Sequence, residues 1–406
     1  MDLVIRNAVV AGYPELQDIG IDGGIITAIA DHVDGRGTEE IQADGHLVAP
    51  GFVDTHLHLD KCMVLDRYDW GEREYLATSR LTAVHESNKI KPSFTVEDVR
   101  DRAIRHAVMC ASHGTTTIRT HAEVDPVVGL TGMRGVLQAR EACRDFIDMQ
   151  IVCNAFCGYF YGEGFAAEHE MDRMFREAIE MGCDAVGGVT EGEPDGKSHV
   201  DYIFSLAREY DKDVDFHCDQ ITTPPPFYIP YIAEKTMAEG MQGRVLLGHC
   251  HAIAHVGAEE RQRAIGLLRE AGVSMCITPF ATVQERLLEP SLGGVTATYM
   301  TDNVQDSWQP FGNGDMLLLS VFVARLGTWR SSREMDRIFD IGTLDAARAI
   351  GIEGNHGVEE GKAADLVVLE ASSRHEAVVN QVKKLWVIKG GRPVAKEGQM
   401  LVRPSL

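Results

Sequence analysis

The sequence predicts an α/β protein, a (β/α)8 TIM-like barrel with a small β-sandwich built from both chain ends. Three observations lead to this fold class. Helix and strand signals alternate through the middle of the chain, short strands fill both ends, and polar residues repeatedly close short apolar runs. A chain of 406 residues has room for a barrel of about 250 residues and a smaller module. The predicted boundaries are 1–50 and 355–406 for the sandwich and 51–354 for the barrel.

Both chain ends consist of short apolar runs. Leu3–Ile5 and Ile19–Ile21 are predicted as strands, and Gly23-Gly24 supplies a hairpin turn before Ile25–Ile29. Leu366–Leu369 begins a similar series near the other end. Neither end is long enough to bury a core alone, so the two are predicted to pair.

Between the ends, the chain repeats a helix followed by a strand, as a parallel barrel requires. The first clear unit has Thr95 as the helix cap and a strand that starts at Thr115. Further helices are predicted near residues 171–181 and 200–210. The prolines of residues 224–226 exclude a helix interior. This stretch is predicted as a loop at the active face, either a lid or a rigid connector.

A strand with two histidines opens the predicted barrel. From Val53 to Asp60, apolar or β-branched residues alternate with polar ones, so His56 and His58 face the same side of a strand. Two imidazoles at a strand end suit a divalent metal, which takes nitrogen ligands at about 2.0–2.1 Å. The alternative is a solvated strand, because His-x-His also occurs there without a metal.

Three polar residues farther along the chain complete this pattern. His217, His249 and Asp302 each close a short apolar or β-branched run and are followed by loop-like sequence. In a (β/α)8 barrel, catalytic groups lie at the carboxyl ends of strands, because the following loops build the active face. The coincidence of these positions favours a shared metal site over chance.

Longer strings around these residues resemble the amidohydrolase superfamily, in the branch of bacterial cytosine deaminase and N-isopropylammelide isopropylamidohydrolase. The resemblance extends over nearly the whole chain. Its strings are similar to three barrel strands of that branch, to a stretch of the isopropylamidohydrolase and to the common superfamily ending. They are Gly114–His121, His217–Asp219, Asp302–Trp308, Pro310–Met316 and Gly357–Leu369.

The resemblance implies one divalent metal ion, zinc or iron, held by His56, His58, His217 and Asp302. Superfamily members with two ions bridge them with a lysine on the fourth strand, and residues 185–189 contain no lysine. The expected reaction is attack of a metal-bound hydroxide on a C–N bond. Asp302 is expected to serve as the base for this attack.

Further catalytic and substrate-binding residues are implied by the same resemblance. His249 is expected to polarise the substrate and stabilise the intermediate, with Gln220 and Lys61 as additional catalytic residues. An aromatic face suits a flat ring, which makes Trp308 the expected stacking residue. The full set of expected substrate-binding residues is Trp308, Asn303, His121, Asp219 and Gly158.

Several of these positions differ from the related enzymes. Gln220 stands where cytosine deaminases have a glutamate, and a glutamine cannot titrate. Gly158 and Asn303 replace their pyrimidine-binding glutamine and second acidic residue, and Asp219 replaces a histidine of the isopropylamidohydrolase. The expected substrate is therefore a nitrogen heterocycle other than cytosine, which loses ammonia or another amine. Two alternatives stay open: ring opening of a cyclic amide, and a metal-binding protein that has lost catalysis.

Composition bears on the partners and the location of the protein. A net charge of −22 disfavours nucleic acid, whose phosphates require a basic surface. No stretch approaches the ~20 apolar residues that span a bilayer. Nine scattered cysteines without an export signal favour reduced thiols in the cytoplasm. A small heterocycle is the expected partner, and the sequence leaves a homo-oligomer open.

Overall fold

The chain folds into a parallel β-barrel surrounded by helices and a mixed β-sheet beside it. The computed structural model describes residues 1–68, 80–155, 168–192, 195–220, 227–279, 291 and 293–405. The strands are β1 Leu3–Val10, β2 Gln17–Asp22, β3 Ile25–Ala30, β4 Glu39–Gln42, β5 Leu47–Pro50, β6 Phe52–Leu57, β7 Thr115–Glu123, β8 Asp148–Ala155, β9 Ala185–Gly188, β10 Asp213–Cys218, β11 Val245–His249, β12 Ser274–Ile277, β13 Ala297–Tyr299, β14 Leu366–Leu369, β15 Lys384–Lys389, β16 Arg392–Lys396 and β17 Gln399–Met400. The helices are α1 Arg80–Ile90, α2 Val96–Ser112, α3 Thr131–Cys143, α4 Glu168–Glu180, α5 Gly196–Glu209, α6 Ile229–Ala238, α7 Ala258–Glu270, α8 Met316–Leu326, α9 Ser332–Ile341, α10 Leu344–Ala349 and α11 Arg374–Asn380.

Strands from both chain ends form one sheet, in the order β17-β16-β15-β14-β5-β1-β2-β3 with β4 beside β1. Strand β1 belongs to both halves of this sheet. Its first residues pair with β2 and β4, whereas Val9 and Val10 pair with β5. Aliphatic residues from the two ends, among them Ile5, Ile19 and Leu366, share a core. The predicted pairing of the ends is confirmed, and the exact domain boundaries stay a prediction.

Strands β6 to β13 form the barrel in sequence order, each parallel to the next. The first and last strands meet at a parallel bridge between Leu57 and Asp302. At this seam, the Asp302 amide donates to the His56 carbonyl oxygen at 3.0 Å. The predicted (β/α)8 fold class is confirmed.

Local capping explains where the helices begin. The Thr95 side chain accepts a hydrogen bond from the Asp98 amide at 3.2 Å, as the sequence predicts. Helix α5 starts four residues before the predicted Val200, because Asp195 caps it through the amides of Lys197 and Ser198. Among the described helices, none combines the length and apolarity needed to cross a bilayer. The predicted loop of residues 224–226 lies outside the described residues.

Strand β7 is longer than its apolar sequence suggests. It pairs with β8 from Thr117 through Glu123, so the polar residues His121 and Glu123 are part of the strand. Residues two apart on a strand share a face. Both side chains are completely buried or nearly so, at 0% and 1% exposure. This extension brings two further polar groups to the carboxyl end of the barrel.

Candidate active site

The carboxyl end of the barrel, called the mouth below, gathers the predicted metal ligands. His56 lies in β6, His58 follows that strand, and His217 lies in β10. Asp302 comes after β13 and reaches the same place through the seam with β6. These four side chains are at most 8% exposed although they are polar. Buried polar groups require partners, so their arrangement is chemically informative.

His56, His58 and Asp302 form one close group, and His217 lies beside its two histidines. The His217 Nε2 atom lies 3.1 Å from Nε2 of His58 and 3.2 Å from Nε2 of His56. Asp302 Oδ1 lies 3.5 Å from the His58 nitrogen and 3.9 Å from the His56 nitrogen. Ligands about 2.0–2.1 Å from a tetrahedral ion are separated by about 3.3 Å. The separations between the nitrogens are close to this value, and His56, His58 and Asp302 together could hold a divalent cation.

Burial also prepares the histidines for a metal. It lowers the pKa of His56, His58 and His217 well below the ordinary 6.5, with neighbouring charged groups as a further cause. Neutral imidazoles offer the lone pair that a metal needs, and metal ligation requires this protonation state. The donor set of three nitrogens and one oxygen suits zinc or iron. The residues present therefore fit the implied ion.

His121 is predicted to bind substrate, but it lies deeper in the barrel than the surface of the mouth. Its side chain is completely buried, and its ring centroid is 4.0 Å from that of His56. Its ligand atom lies within 4.8 Å of those of His56 and His217, so these three histidines form a second possible metal-binding group. Below them, Asp215 Oδ1 is 3.4 Å from His121 Nε2 and 3.9 Å from His56 Nδ1. Asp215 in turn contacts Arg119 at 3.4 Å.

His249 ends β11 beside the converging ligands. Its ring stacks on that of His217, with centroids 5.2 Å apart, and its Nδ1 lies 3.5 Å from the Thr278 hydroxyl. Burial lowers the pKa of His249 to about 3. Its backbone adopts a left-handed conformation with φ of 70°, which is uncommon for a residue other than glycine. A neutral, fixed imidazole at this position can donate or accept one hydrogen bond toward a substrate.

Asn303 and Trp308 follow Asp302 on the same segment. The Asn303 amide nitrogen donates to Asp302 Oδ1 at 3.2 Å, which orients the carboxylate. Trp308 is half-buried and packs with Val84 of α1 and Val189 at the end of β9. The Lys61 Nζ atom lies 5.5 Å from the centroid of the Trp308 ring. An indole face and an ammonium group therefore meet at the mouth.

The fifth-strand residues after His217 have mainly structural contacts. The Asp219 carboxylate accepts from the amides of Tyr228 and Ile229 at 2.9–3.1 Å, and burial raises its pKa to about 7. These contacts anchor the start of α6, so a substrate contact of Asp219 stays a prediction. The backbone amide of Gln220 donates to the carboxylate of Glu191. Gly158 lies outside the described residues.

Sequence reasoning missed several groups at the mouth. Glu123 and Asp215 are each placed two residues from a predicted site histidine on the same strand, so strand periodicity was a usable signal. Lys91 and Asp125 carried no such signal, because they lie outside the strands. All four are nearly completely buried. The site therefore contains an ionic part besides the histidine part.

Comparison with known proteins gives consistent similarities. Residues 165–395 match the amidohydrolase family. The chain is 36% identical over 407 residues to N-isopropylammelide isopropyl amidohydrolase of Pseudomonas sp. strain ADP, with 98% of each chain covered.

Two solved structures are similar over almost the whole chain. A 5-methylcytosine deaminase from Klebsiella pneumoniae, liganded with 5-fluorocytosine, gives a TM-score of 0.87 at 27% identity and covers 99% of this chain and 98% of that chain. N-isopropylammelide isopropylaminohydrolase from Burkholderia multivorans gives the same TM-score and identity, with 98% and 99% covered.

Proposed function

Because this chain belongs to the amidohydrolase family, we propose that it hydrolyses an exocyclic C–N bond of a small nitrogen heterocycle and releases ammonia or an amine. The observation that carries the proposal is the convergence of three imidazole nitrogens and Asp302 at the mouth. The relative and the similar structures support the substrate class, since their names specify triazine and pyrimidine amines.

The proposed ligands are His56, His58, His217 and Asp302, holding one divalent ion. Zinc or iron is the proposed metal, because both accept this set of nitrogen and oxygen donors. A divalent ion in this position supplies Lewis acidity, which brings the pKa of water near neutrality. The retained carboxylate and His249 argue against a protein that binds metal without catalysis.

The proposed reaction begins with addition of water to the ring carbon that bears the amine. Asp302 accepts the proton of the water and returns it to the leaving nitrogen, so the C–N bond breaks and the carbon keeps the oxygen. The hydrogen bond from Asn303 holds the Asp302 carboxylate in one orientation for both transfers. His249 lies where it can stabilise charge that develops on the ring during addition.

Three further residues complete the proposed roles. Trp308 offers its face to the ring of the substrate, and Lys61 offers a positive charge over that face. Gln220 orients the substrate without titrating, which makes cytosine a poor substrate. The His121 ring packs against the ring of His56. We propose that His121 contacts the substrate only through the edge of its imidazole. Asp219 and Gly158 keep their proposed contacts with the substrate.

The cell compartment is also a proposal. Eight cysteines are described, and all of them are buried free thiols. Reduced thiols in this number are typical of cytoplasmic proteins. We therefore place the enzyme in the cytoplasm.

The test is a product assay on metal-free protein reconstituted with zinc or with iron. We expect isopropylamine from N-isopropylammelide, or ammonia from an aminated ring, to exceed ammonia release from cytosine. A ring-opened product without amine release would favour a lactam hydrolase instead. One bound metal equivalent with no turnover on any of these rings would support a protein without catalysis.

A further inference from the structure

Two buried lysines share one carboxylate at the mouth. Lys61 Nζ lies 2.7 Å from Glu123 Oε1, and Lys91 Nζ lies 2.5 Å from Glu123 Oε2. Lys91 Nζ also lies 2.7 Å from Asp125 Oδ2. These four residues, called the mouth ion group, are each at most 3% exposed. Their two positive and two negative charges balance.

One end of the mouth ion group is fixed by the backbone. The other oxygen of Asp125 accepts from the amides of Val127 and Val128 at 2.7 and 2.9 Å. The Glu123 amide, for its part, donates to Asp60 at 2.8 Å. The backbone therefore fixes the Asp125 carboxylate. Asp125 holds Lys91, Lys91 holds Glu123, and Glu123 holds Lys61.

Lys61 stands at the other end, next to the proposed substrate position. It comes three residues after His58 and lies over the ring of Trp308. We propose that Lys91 is a positioning residue, which holds the second oxygen of Glu123 and thereby fixes the ammonium group of Lys61 beside the substrate ring. This inference rests on the proposed function, because it assumes that Lys61 meets the substrate.

Charge balance gives the physical reason for the second lysine. Without Lys91, one ammonium group would face two buried carboxylates, and an uncompensated buried charge is strongly unfavourable. Glu123 could then rotate, and Lys61 would follow it away from Trp308. With Lys91 present, Glu123 is held from both oxygens, and Lys61 keeps one position.

The first test is a double-mutant cycle measured as isopropylamine release from N-isopropylammelide by the metal-loaded protein. Lys91→Met should lower kcat/KM by about 10–100-fold, the usual range for residues that orient a functional group, with metal content unchanged. Lys91→Arg should recover part of this loss, because it retains the charge. In a Lys61→Met background, Lys91→Met should add less than about twofold. An equal loss in both backgrounds would overturn the proposal.

The second test does not depend on turnover. Acetic anhydride labelling of Lys61, measured by mass spectrometry, should be about tenfold faster in Lys91→Met than in the wild type, since local order is lost. The matched control is Lys389→Met. Lys389 is also a buried lysine between two carboxylates, Asp148 and Asp365 at 2.5 and 2.6 Å, but it lies away from the mouth in β15.

The control variant should lose similar thermal stability and leave both kcat/KM and Lys61 labelling unchanged. Folded Lys91→Met protein with wild-type labelling of Lys61 would contradict the positioning role. If the wild type releases no amine from any ring, the proposed function fails. The labelling result still decides whether Lys91 fixes Lys61.

Discussion

Strands β1–β5 and β14–β17, called the β-domain below, and the barrel mouth differ in how their buried polar side chains are paired. In the β-domain, Asp18 accepts from the Arg6 guanidinium at 2.7 Å, from the Asn7 amide at 3.1 Å and from the Val33 amide at 3.2 Å. At the mouth, the buried His249 Nε2 atom has no hydrogen-bond partner among the residues that the structure describes. Strands β1–β5 and β14–β17 are fully described, and none of their side chains has such an atom.

This difference separates polar groups that stabilise the fold from polar groups that await a ligand. An unpaired buried polar atom costs about 1–3 kcal/mol, so a protein retains it only where something else benefits. The strands of the β-domain have no such reason, and their buried polar side chains all have protein partners. The mouth keeps its polar atoms available for the metal and the substrate.

The largest effect is expected for Asp302→Asn. This change keeps an oxygen near the metal and removes the base, so kcat should fall by about 10²–10⁴-fold. Metal content should fall far less than kcat, and thermal stability should stay close to that of the wild type. Parallel amine-release and metal assays check this result. Wild-type kcat with bound metal would show that Asp302 is not the base.

His217→Ala tests the metal side of the same comparison. His217 Nε2 lies 3.2 Å from the His56 nitrogen and 3.1 Å from the His58 nitrogen, so its loss removes one of the four proposed donors. We expect the variant to lose most of its metal, because a three-ligand remnant holds the ion poorly. Elemental analysis after gel filtration measures this loss. Full occupancy in the variant would refute the ligand assignment.

Asp18→Asn should affect stability alone. Its charge-assisted hydrogen bonds are removed, so the free energy of unfolding at pH 7 should fall by about 1–3 kcal/mol. The kcat of the folded fraction should not change. Urea unfolding of both proteins measures the difference in the free energy of unfolding. A lowered kcat would show that Asp18 also affects the active site.

The effect of Asp18→Asn on stability should depend on pH. Burial would raise the pKa of Asp18, but the hydrogen bond from Arg6 outweighs it together with two backbone amides, and the pKa is lowered from 3.8. A lowered carboxyl pKa gives stability that is present above 3.8 and is lost as the pH falls through the folded-state value. The difference in the free energy of unfolding between wild type and Asp18→Asn should therefore become smaller below pH 3.8. A constant difference would contradict this assignment.

Gly248→Ala is the smallest change, and it tests how closely the backbone approaches the ligands. A Cβ at Gly248 would lie 2.9 Å from two ring atoms of His56. The imidazole must shift, so metal affinity should fall by about tenfold, at the low end for disturbed ligand orientation. Gly266→Ala in α7 is the control, because nothing lies within 4 Å of its Cβ. The control should keep its metal and gain about 0.5–1 kcal/mol.

The barrel could be predicted from the sequence because its signals are local. Alternation around His56 and His58, and polar residues at strand ends, follow from the period of a strand. The four proposed metal ligands lie at the mouth, and their assignment stays a prediction. Strand β7 ends at Glu123, two residues beyond the string Gly114–His121 that resembles a barrel strand, and no apolar run marks this end.

The mouth ion group could not be predicted, because tertiary contacts alone bring it together. Lys91 and Glu123 are separated along the chain and belong to different elements. Lys91 begins a 3-10 turn, Lys91–Ser93. Lysines are mostly exposed, and the sequence around Lys91 gives no contrary indication. The anchoring role of Asp219 was hidden for the same reason, since its partners Tyr228 and Ile229 lie nine and ten residues later in the chain.

The seam between β6 and the segment after β13 also has a consequence for how the protein is made. His56 and Asp302 are joined there by a backbone hydrogen bond, and both are proposed to bind the same ion. During synthesis, the nascent chain cannot offer a complete ion site until residue 302 has left the ribosome and docked. Such long-range closure is slow in folding. Ion capture should therefore be a late event, and hydrogen exchange at β6 and β13 should slow when the ion binds.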